Sequence, residues 1–185
     1  MKSDNHSFSI TRDNDDYWRL TSQQNPAYNF SIHPHRTEMT VPERILTTVG
    51  QTAVQRINEV SASQPTPDSL LGECQYNSID LAENLAEEGF EPTVVSGSTQ
   101  KESVKSLKDA YSKLCVHHWV EVKGYVVEIC SEAPDSTGHI YVAQERPENY
   151  IPYRQTSLET LEKKASFTYP KMETVQEYIS LTDPY

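Results

Sequence analysis

The chain has 185 residues, of which 36% are hydrophobic, and its 16 basic and 27 acidic side chains give a formal net charge of −11 at pH 7. This length suits one ordinary domain with a buried core. The acidic balance disfavours nucleic acid and anionic lipid as partners, which leaves proteins, peptides or small molecules.

The cellular context is predicted from the start of the chain and from the cysteines. The opening residues MKSDNHSFSI lack the basic and apolar regions of a signal peptide, and no run of about 18 apolar residues occurs. We therefore expect a cytoplasmic protein without membrane association. Cys74, Cys115 and Cys130 are an odd number at irregular spacing, so we expect free thiols rather than a disulfide framework. We also expect no cofactor.

The N-terminal part of the chain shows a change of pattern near residue 40. Residues 1–40 are rich in polar side chains without clear periodicity, which predicts a lightly structured arm. Residues 41–185 are expected to form a single domain with a helical C-terminal tail. Its first helix is predicted at 42–60, because Pro42 suits a first helical turn and apolar residues then recur at helical spacing.

A second helix is predicted to open near Cys74 and to end at Gly89, a residue type that commonly stops helices. The β-branched run at 92–96, closed by Gly97, predicts a strand. The mostly polar segment 101–114 keeps apolar residues at helical spacing, which predicts a surface helix.

A β-hairpin is the clearest expectation in the second half of the chain. Apolar, β-branched segments at 116–122 and 125–129 are separated by Lys123-Gly124, the spacing of a tight two-residue turn. The elements expected after it are a strand at 139–143 and two short helices at 157–164 and 172–179. This order predicts an α+β fold in which an antiparallel sheet packs on a central helix carrying the cysteine at its N-terminus.

Cys74 is the candidate nucleophile. A thiol acyl-transfer enzyme needs a thiolate, a base beside it and a group that orients the base. Cys74 follows Gly72 and Glu73 from a loop into a helix, where unpaired N–H groups and the positive end of the helix dipole favour a thiolate. The backbone N–H groups of Cys74 and Gln75 are expected to form an oxyanion hole. The alternative is a small buried cysteine with only a packing role.

The stretch HHWVEVKGYVVE supplies the other two groups. Strand alternation places His117 and Trp119 on one face and His118 on the other. Folding at the turn brings Glu128 back beside the histidines, and its apolar neighbours make a carboxylate there costly unless a partner such as an imidazole satisfies it. The alternative is an exposed glutamate beside surface histidines.

Together these motifs resemble the transglutaminase-like superfamily, whose cysteine acyl-transfer fold is papain-like. The resemblance covers roughly residues 70 to 130: GEC at a helix start, the strand PTVVSG, then HHWVEV, a tight turn and YVVE. It implies a triad of Cys74, His117 and Glu128, with His118 and Trp119 as supporting neighbours. Glu128 stands where the family usually has aspartate, and His118 where a small residue is common.

The resemblance implies thiol-dependent acyl transfer on a protein or peptide substrate, of the peptidase, deamidase or transglutaminase type. A second possibility is a non-enzymatic protein-binding module that keeps the fold with a degenerate site. A third is a zinc site built from Cys115, His117 and His118, completed by Cys130 or Cys74. Adjacent histidines on a strand point to opposite faces, however, which disfavours two of them binding one ion.

Overall fold

The computed structural model describes residues 6–12, 18–33, 41–60, 74–99, 105–113, 116–129, 140–144 and 146–157. Within these residues, eight strands form one sheet and three helices accompany it. The strands are β1 (Phe8–Arg12), β2 (Trp18–Ser22), β3 (Asn29–His33), β4 (Thr93–Ser98), β5 (His117–Val122), β6 (Tyr125–Ile129), β7 (Ile140–Ala143) and β8 (Ile151–Ser157). The helices are α1 (Glu43–Val60), α2 (Cys74–Glu87) and α3 (Leu107–Ser112).

The sheet is mixed rather than purely antiparallel. Its strand order is β1-β2-β3-β7-β6-β5-β4-β8, and every neighbouring pair is antiparallel except β3 with β7, which is parallel. The predicted α+β class is confirmed, while the expectation of an antiparallel sheet is wrong at this one pair. The parallel pair arises because β3 reaches the sheet from the N-terminal part of the chain and is not joined to β7 by a hairpin.

The expectation of a lightly structured arm at 1–40 is wrong for the residues that the structure describes there. These residues form β1, β2 and β3, and the side chains of Leu20, Phe30 and Ile32 are fully buried. Each strand spans only five residues, and the neighbours of the buried positions are polar. Three short alternations of this kind resemble a polar coil when they are read in a window suited to helices.

Helices α1 and α2 pack together and cover one face of the sheet. The predicted helix at 42–60 is confirmed, with α1 beginning directly after Pro42. The helix predicted from Cys74 is also confirmed, and it ends as expected at Gly89, which adopts a left-handed conformation with φ 83°. There the N–H of Phe90 donates to the carbonyl of Leu85 over 3.0 Å, a closure typical of helix C-termini.

The hairpin of β5 and β6 is confirmed with its turn at Lys123-Gly124. Both turn residues have positive φ, 52° and 82°, the conformation required by a type I′ turn. The strand predicted at 139–143 is observed as β7, and the predicted helix at 101–114 is observed as the shorter α3. Residues 101–104 and 114 of that prediction lie outside the described residues.

Strand β8 was not predicted. It pairs with β4 and forms one edge of the described sheet, and its last residue, Ser157, falls where a tail helix was expected to begin. The rest of the predicted helix at 157–164 and the whole of that at 172–179 lie outside the described residues.

The sheet separates two apolar clusters. The larger one lies between the helices and the sheet and includes Val120 and Val127. The smaller one lies on the opposite face and comprises Val95, Trp119, Val126, Ala143 and Tyr150, with Tyr141 packed against it. In the described parts of the chain, no helix is long and apolar enough to cross a membrane.

Candidate active site

A buried histidine–carboxylate pair lies in the sheet. Nε2 of His117 on β5 donates to Oε2 of Glu128 on β6 over 2.7 Å, and each side chain is only 2% exposed. The sequence prediction that the hairpin brings these two residues together is therefore matched by the observed contact. A hydrogen bond of this length between charged groups is stronger than a neutral one.

The register of the hairpin explains why a glutamate makes this contact. Val120 pairs with Val127, and continuing that antiparallel register sets Glu128 opposite Trp119. His117 is then a diagonal neighbour of Glu128, and diagonal positions are roughly 7–8 Å apart between Cα atoms. The long side chain of Glu128 spans that diagonal.

Cys74, at the N-terminus of α2, is the third member of the cluster. It is the first residue of α2, where the first N–H groups of a helix have no acceptor within the helix, and it is half-buried. Its thiol approaches His117 closely enough to act as a hydrogen-bonding and charge partner of the ring. Because Glu128 takes Nε2, the ring nitrogen left for the thiol is Nδ1. That nitrogen has no short, well-aligned hydrogen bond within the described residues, so the contact with Cys74 is a loose one.

The electrostatics of the cluster favour a charged imidazole. Burial by itself lowers the pKa of His117, but the charge of Glu128 and the hydrogen-bonding interactions of the ring with Cys74 and Glu128 outweigh it and raise the pKa to about 10. His117 is thus an imidazolium at neutral pH. The imidazolium of His117 therefore lies between the carboxylate of Glu128 and the thiol of Cys74.

Trp119 has the packing role that the sequence predicted for it. Its ring is fully buried and stacks near His117, with centroids 6.1 Å apart and planes at 28°. Its Nε1–H donates to Oε1 of Glu121 over 3.0 Å, and Arg146 pairs with the same oxygen. These contacts hold the ring of Trp119 in place beside His117.

His118 lies on the opposite face of β5, as strand alternation predicted. Its Nδ1 is 3.1 Å from Oγ of Ser96, and Nε2 is buried without a hydrogen bond in the described structure. Burial, followed by the charge of His117, lowers the pKa of His118 to about 4. His118 is therefore neutral at physiological pH and supports the strand from the helix side without facing the reacting groups.

Two further residues shape the site, and the sequence reasoning did not assign either of them to it. Tyr150 packs edge-on against His117, with centroids 5.8 Å apart and planes at 87°. Gly97, the β4 partner of His117, leaves room that a side chain would fill: a Cβ there would overlap the carbonyl oxygen of Ile151 and lie 2.6 Å from the ring of Trp119. The place of Tyr150 beside His117 depends on β8, which directly follows it.

The zinc alternative finds no support in the described residues. No group of three or more His, Cys, Asp or Glu side chains there is arranged to hold a metal ion. His117 and His118 face opposite sides of the sheet, and Cys115 and Cys130 lie outside the described residues.

No protein-family model, curated protein or solved structure matches this chain. The geometry of Cys74, His117 and Glu128 is therefore the basis for inferring a function.

Proposed function

We propose that this protein catalyses thiol-dependent acyl transfer on a peptide or amide substrate, with Cys74 as nucleophile, His117 as acid and base, and Glu128 as the group that orients the imidazole. One observation carries the proposal: the buried His117–Glu128 hydrogen bond leaves the other ring nitrogen for a thiol at a helix N-terminus. The resemblance of GEC, HHWVEV and YVVE to the transglutaminase-like superfamily points the same way.

The proposed reaction proceeds in two halves. In the first, the thiolate of Cys74 attacks the carbonyl carbon, backbone N–H groups at the start of α2 stabilise the oxyanion, and the imidazolium of His117 protonates the departing amine as the carbon–nitrogen bond breaks. In the second, neutral His117 takes a proton from water or from an acceptor amine, which attacks the thioester and releases Cys74. Water gives hydrolysis, and an amine gives transfer.

The burial of the pair also favours a functional role. A buried ion pair is a weak source of stability, because hydrophobic residues of similar size often serve as well or better. Strongly shifted pKa values with a named charge partner are common at functional sites. Here the shifted group also adjoins a half-buried cysteine, which a purely structural pair would not require.

Alkylation tests the thiol directly. In a Cys115→Ser, Cys130→Ser background, Cys74 is the only thiol, and its rate with iodoacetamide is measured by intact mass between pH 5 and pH 9. We expect a rate at pH 6 at least tenfold above that of a model thiol, because the imidazolium and the helix start favour the thiolate. In the His117→Gln variant, the alkylation rate at pH 6 is expected to fall to that of the model thiol. A rate at pH 6 no higher than that of the model thiol would contradict the proposal.

Turnover is tested on a panel of amide and glutamine-containing peptides, with water or a primary amine as acceptor. Cys74→Ala is expected to lower kcat by about 10³-fold or more, and Tyr125→Phe, at the far end of the hairpin, is the matched control. Unchanged turnover in Cys74→Ala would reject catalysis by this cysteine. A stoichiometric partner whose binding survives Cys74→Ala, in a protein without any turnover, would instead support the binding-module alternative.

A further inference from the structure

We propose that Tyr150 is a positioning residue, whose ring fixes the orientation of His117 and shields the His117–Glu128 hydrogen bond from water. The proposal concerns the geometry of the pair, and only its kinetic consequence rests on the proposed function. It goes beyond the triad, because Tyr150 lies in the segment before β8, outside the part of the chain that resembles a known superfamily.

Tyr150 lies in a cluster of aromatic rings. Its ring is 2% exposed and touches three other rings on the face of the sheet opposite α1 and α2. It meets His117 edge-on at 5.8 Å, Trp119 at 5.1 Å with planes at 67°, and Tyr141 in a stack at 5.9 Å. Tyr150 is therefore held by two aromatic neighbours while its third contact is the imidazole.

Aromatic rings restrict the rotation of the His117 imidazole. The hydrogen bond to Glu128 anchors His117 at Nε2 and by itself permits rotation of the ring about that contact. The ring of Trp119 packs nearly parallel to the imidazole, and the ring of Tyr150 packs perpendicular to it. Both contacts limit the rotation of the imidazole. Together these contacts restrict the ring, and we expect them to favour the orientation in which Nδ1 is available to Cys74.

The absence of a side chain at Gly97 allows Tyr150 to lie beside His117. Gly97 on β4 pairs with His117, and the pairing of β4 with β8 shifts register between Ser96 and Gly97. Without a side chain at Gly97, the backbone of Ile151 comes into close contact with it. Tyr150 immediately precedes Ile151, so this close approach brings its ring over His117. A side chain at position 97 would push both away.

The experiment compares four versions of the full chain: wild type, Tyr150→Phe, Tyr150→Leu and Phe30→Leu. Phe30 is a fully buried aromatic residue in the larger cluster on the other face, so Phe30→Leu matches the loss of a buried ring without touching His117. Urea unfolding establishes that each variant is folded. Should Tyr150→Leu fail to fold, Tyr150→Met, which retains more side-chain volume, takes its place.

The first readout is the Nε2–H proton of His117, observed by NMR with ¹⁵N-labelled histidine. We expect a downfield, slowly exchanging signal in wild type, Tyr150→Phe and Phe30→Leu, because water is excluded from the hydrogen bond between His117 and Glu128. In Tyr150→Leu we expect its exchange with water to be at least tenfold faster. Equal exchange in Tyr150→Leu and wild type, absence of a protected signal in wild type, or the same loss in Phe30→Leu would each overturn the proposal. Faster exchange in Tyr150→Phe would assign the effect to the hydroxyl group and would equally overturn a role for the ring.

The second readout separates this proposal from the proposed function. If the protein is an acyl-transfer enzyme, Tyr150→Leu is expected to lower kcat by about 10- to 100-fold with little change in KM. Displacement of the catalytic base slows the chemical step more than it weakens substrate binding. Tyr150→Phe, which keeps the ring, is expected to have the kcat of wild type. A protein without turnover but with the expected NMR pattern would refute the function and leave the positioning role in place. Turnover that Tyr150→Leu does not change would remove the positioning role and leave the function standing.

Discussion

Replacing Glu128 by glutamine tests the electrostatics of the site most directly. Glu128→Gln keeps the length and most of the shape of the side chain but removes the charge that faces Nε2 of His117. The largest influence on His117 is burial, which lowers its pKa, and the charge of Glu128 is the first of the effects that oppose it. We therefore expect the pKa of His117 to fall from about 10 to 6.5 or below in this variant.

The sign of the stability effect follows from proton binding. The folded-state pKa of His117 is raised from 6.5 to about 10, so the folded protein holds a proton that the unfolded chain loses above pH 6.5. The stability gained from this proton is fully present below pH 6.5 and is lost as the pH rises towards 10. One pKa unit corresponds to about 1.4 kcal/mol, so the gap in unfolding free energy between wild type and Glu128→Gln narrows by about 3 kcal/mol from pH 7 to pH 9.

The assay is urea unfolding of both proteins across this pH range, with the pKa of His117 measured in parallel by NMR. Comparing the two proteins cancels the titration of groups elsewhere in the chain. Cys74→Ala controls for the thiol and is expected to keep most of the pH dependence, because the charge of Glu128 is the larger raising effect. A gap that stays constant within about 1 kcal/mol between pH 7 and pH 9 would refute the reasoning.

Three further predictions concern the strands and the turn around the site. His118→Gln is expected to reduce the loss of stability between pH 6.5 and pH 4.5 by about 2 kcal/mol, because the lowered pKa of His118, about 4, gives stability that is present above pH 6.5 and lost as the pH falls towards 4; urea unfolding at these two pH values measures it. Gly97→Ala is expected to destabilise the fold by about 1–3 kcal/mol, because its Cβ meets the backbone of Ile151, and an unchanged urea midpoint would disprove that overlap. Lys123→Asn is expected to raise the urea midpoint slightly, by up to about 1 kcal/mol in stability, because asparagine tolerates the positive φ at Lys123 better than lysine does.

The elements that the sequence predicted well are those whose signals are local. Lys123-Gly124 between two β-branched runs specifies a tight hairpin whatever surrounds it. Pro42 marks the start of α1 and Gly89 the end of α2, because each acts through its own backbone geometry. Strand alternation alone also placed His117 and His118 on opposite faces.

The elements that were missed depend on partners distant in the chain. Leu20 and Phe30 are core residues because β2 and β3 join a sheet in which strands β4 to β8 come from residue 93 onward, and five-residue strands carry too little pattern to predict this pairing. β8 has a proline at its second residue, Pro152, which weakens a strand prediction but is tolerated at the edge of a sheet. The position of Tyr150 beside His117 follows from β8 and was missed with it.

The glutamate in place of an aspartate is explained by the same geometry. A residue opposite Trp119 is diagonal to His117, and an aspartate there would fall short of Nε2 by about one carbon–carbon bond unless the strands moved closer. Glu128 reaches 2.7 Å without such a movement. The hairpin register of this chain therefore suits a glutamate better than an aspartate at position 128. Glu128→Asp, which keeps the charge but shortens the side chain, should then lower the pKa of His117 measurably, whereas a wild-type pKa in that variant would show that the register does not demand a glutamate.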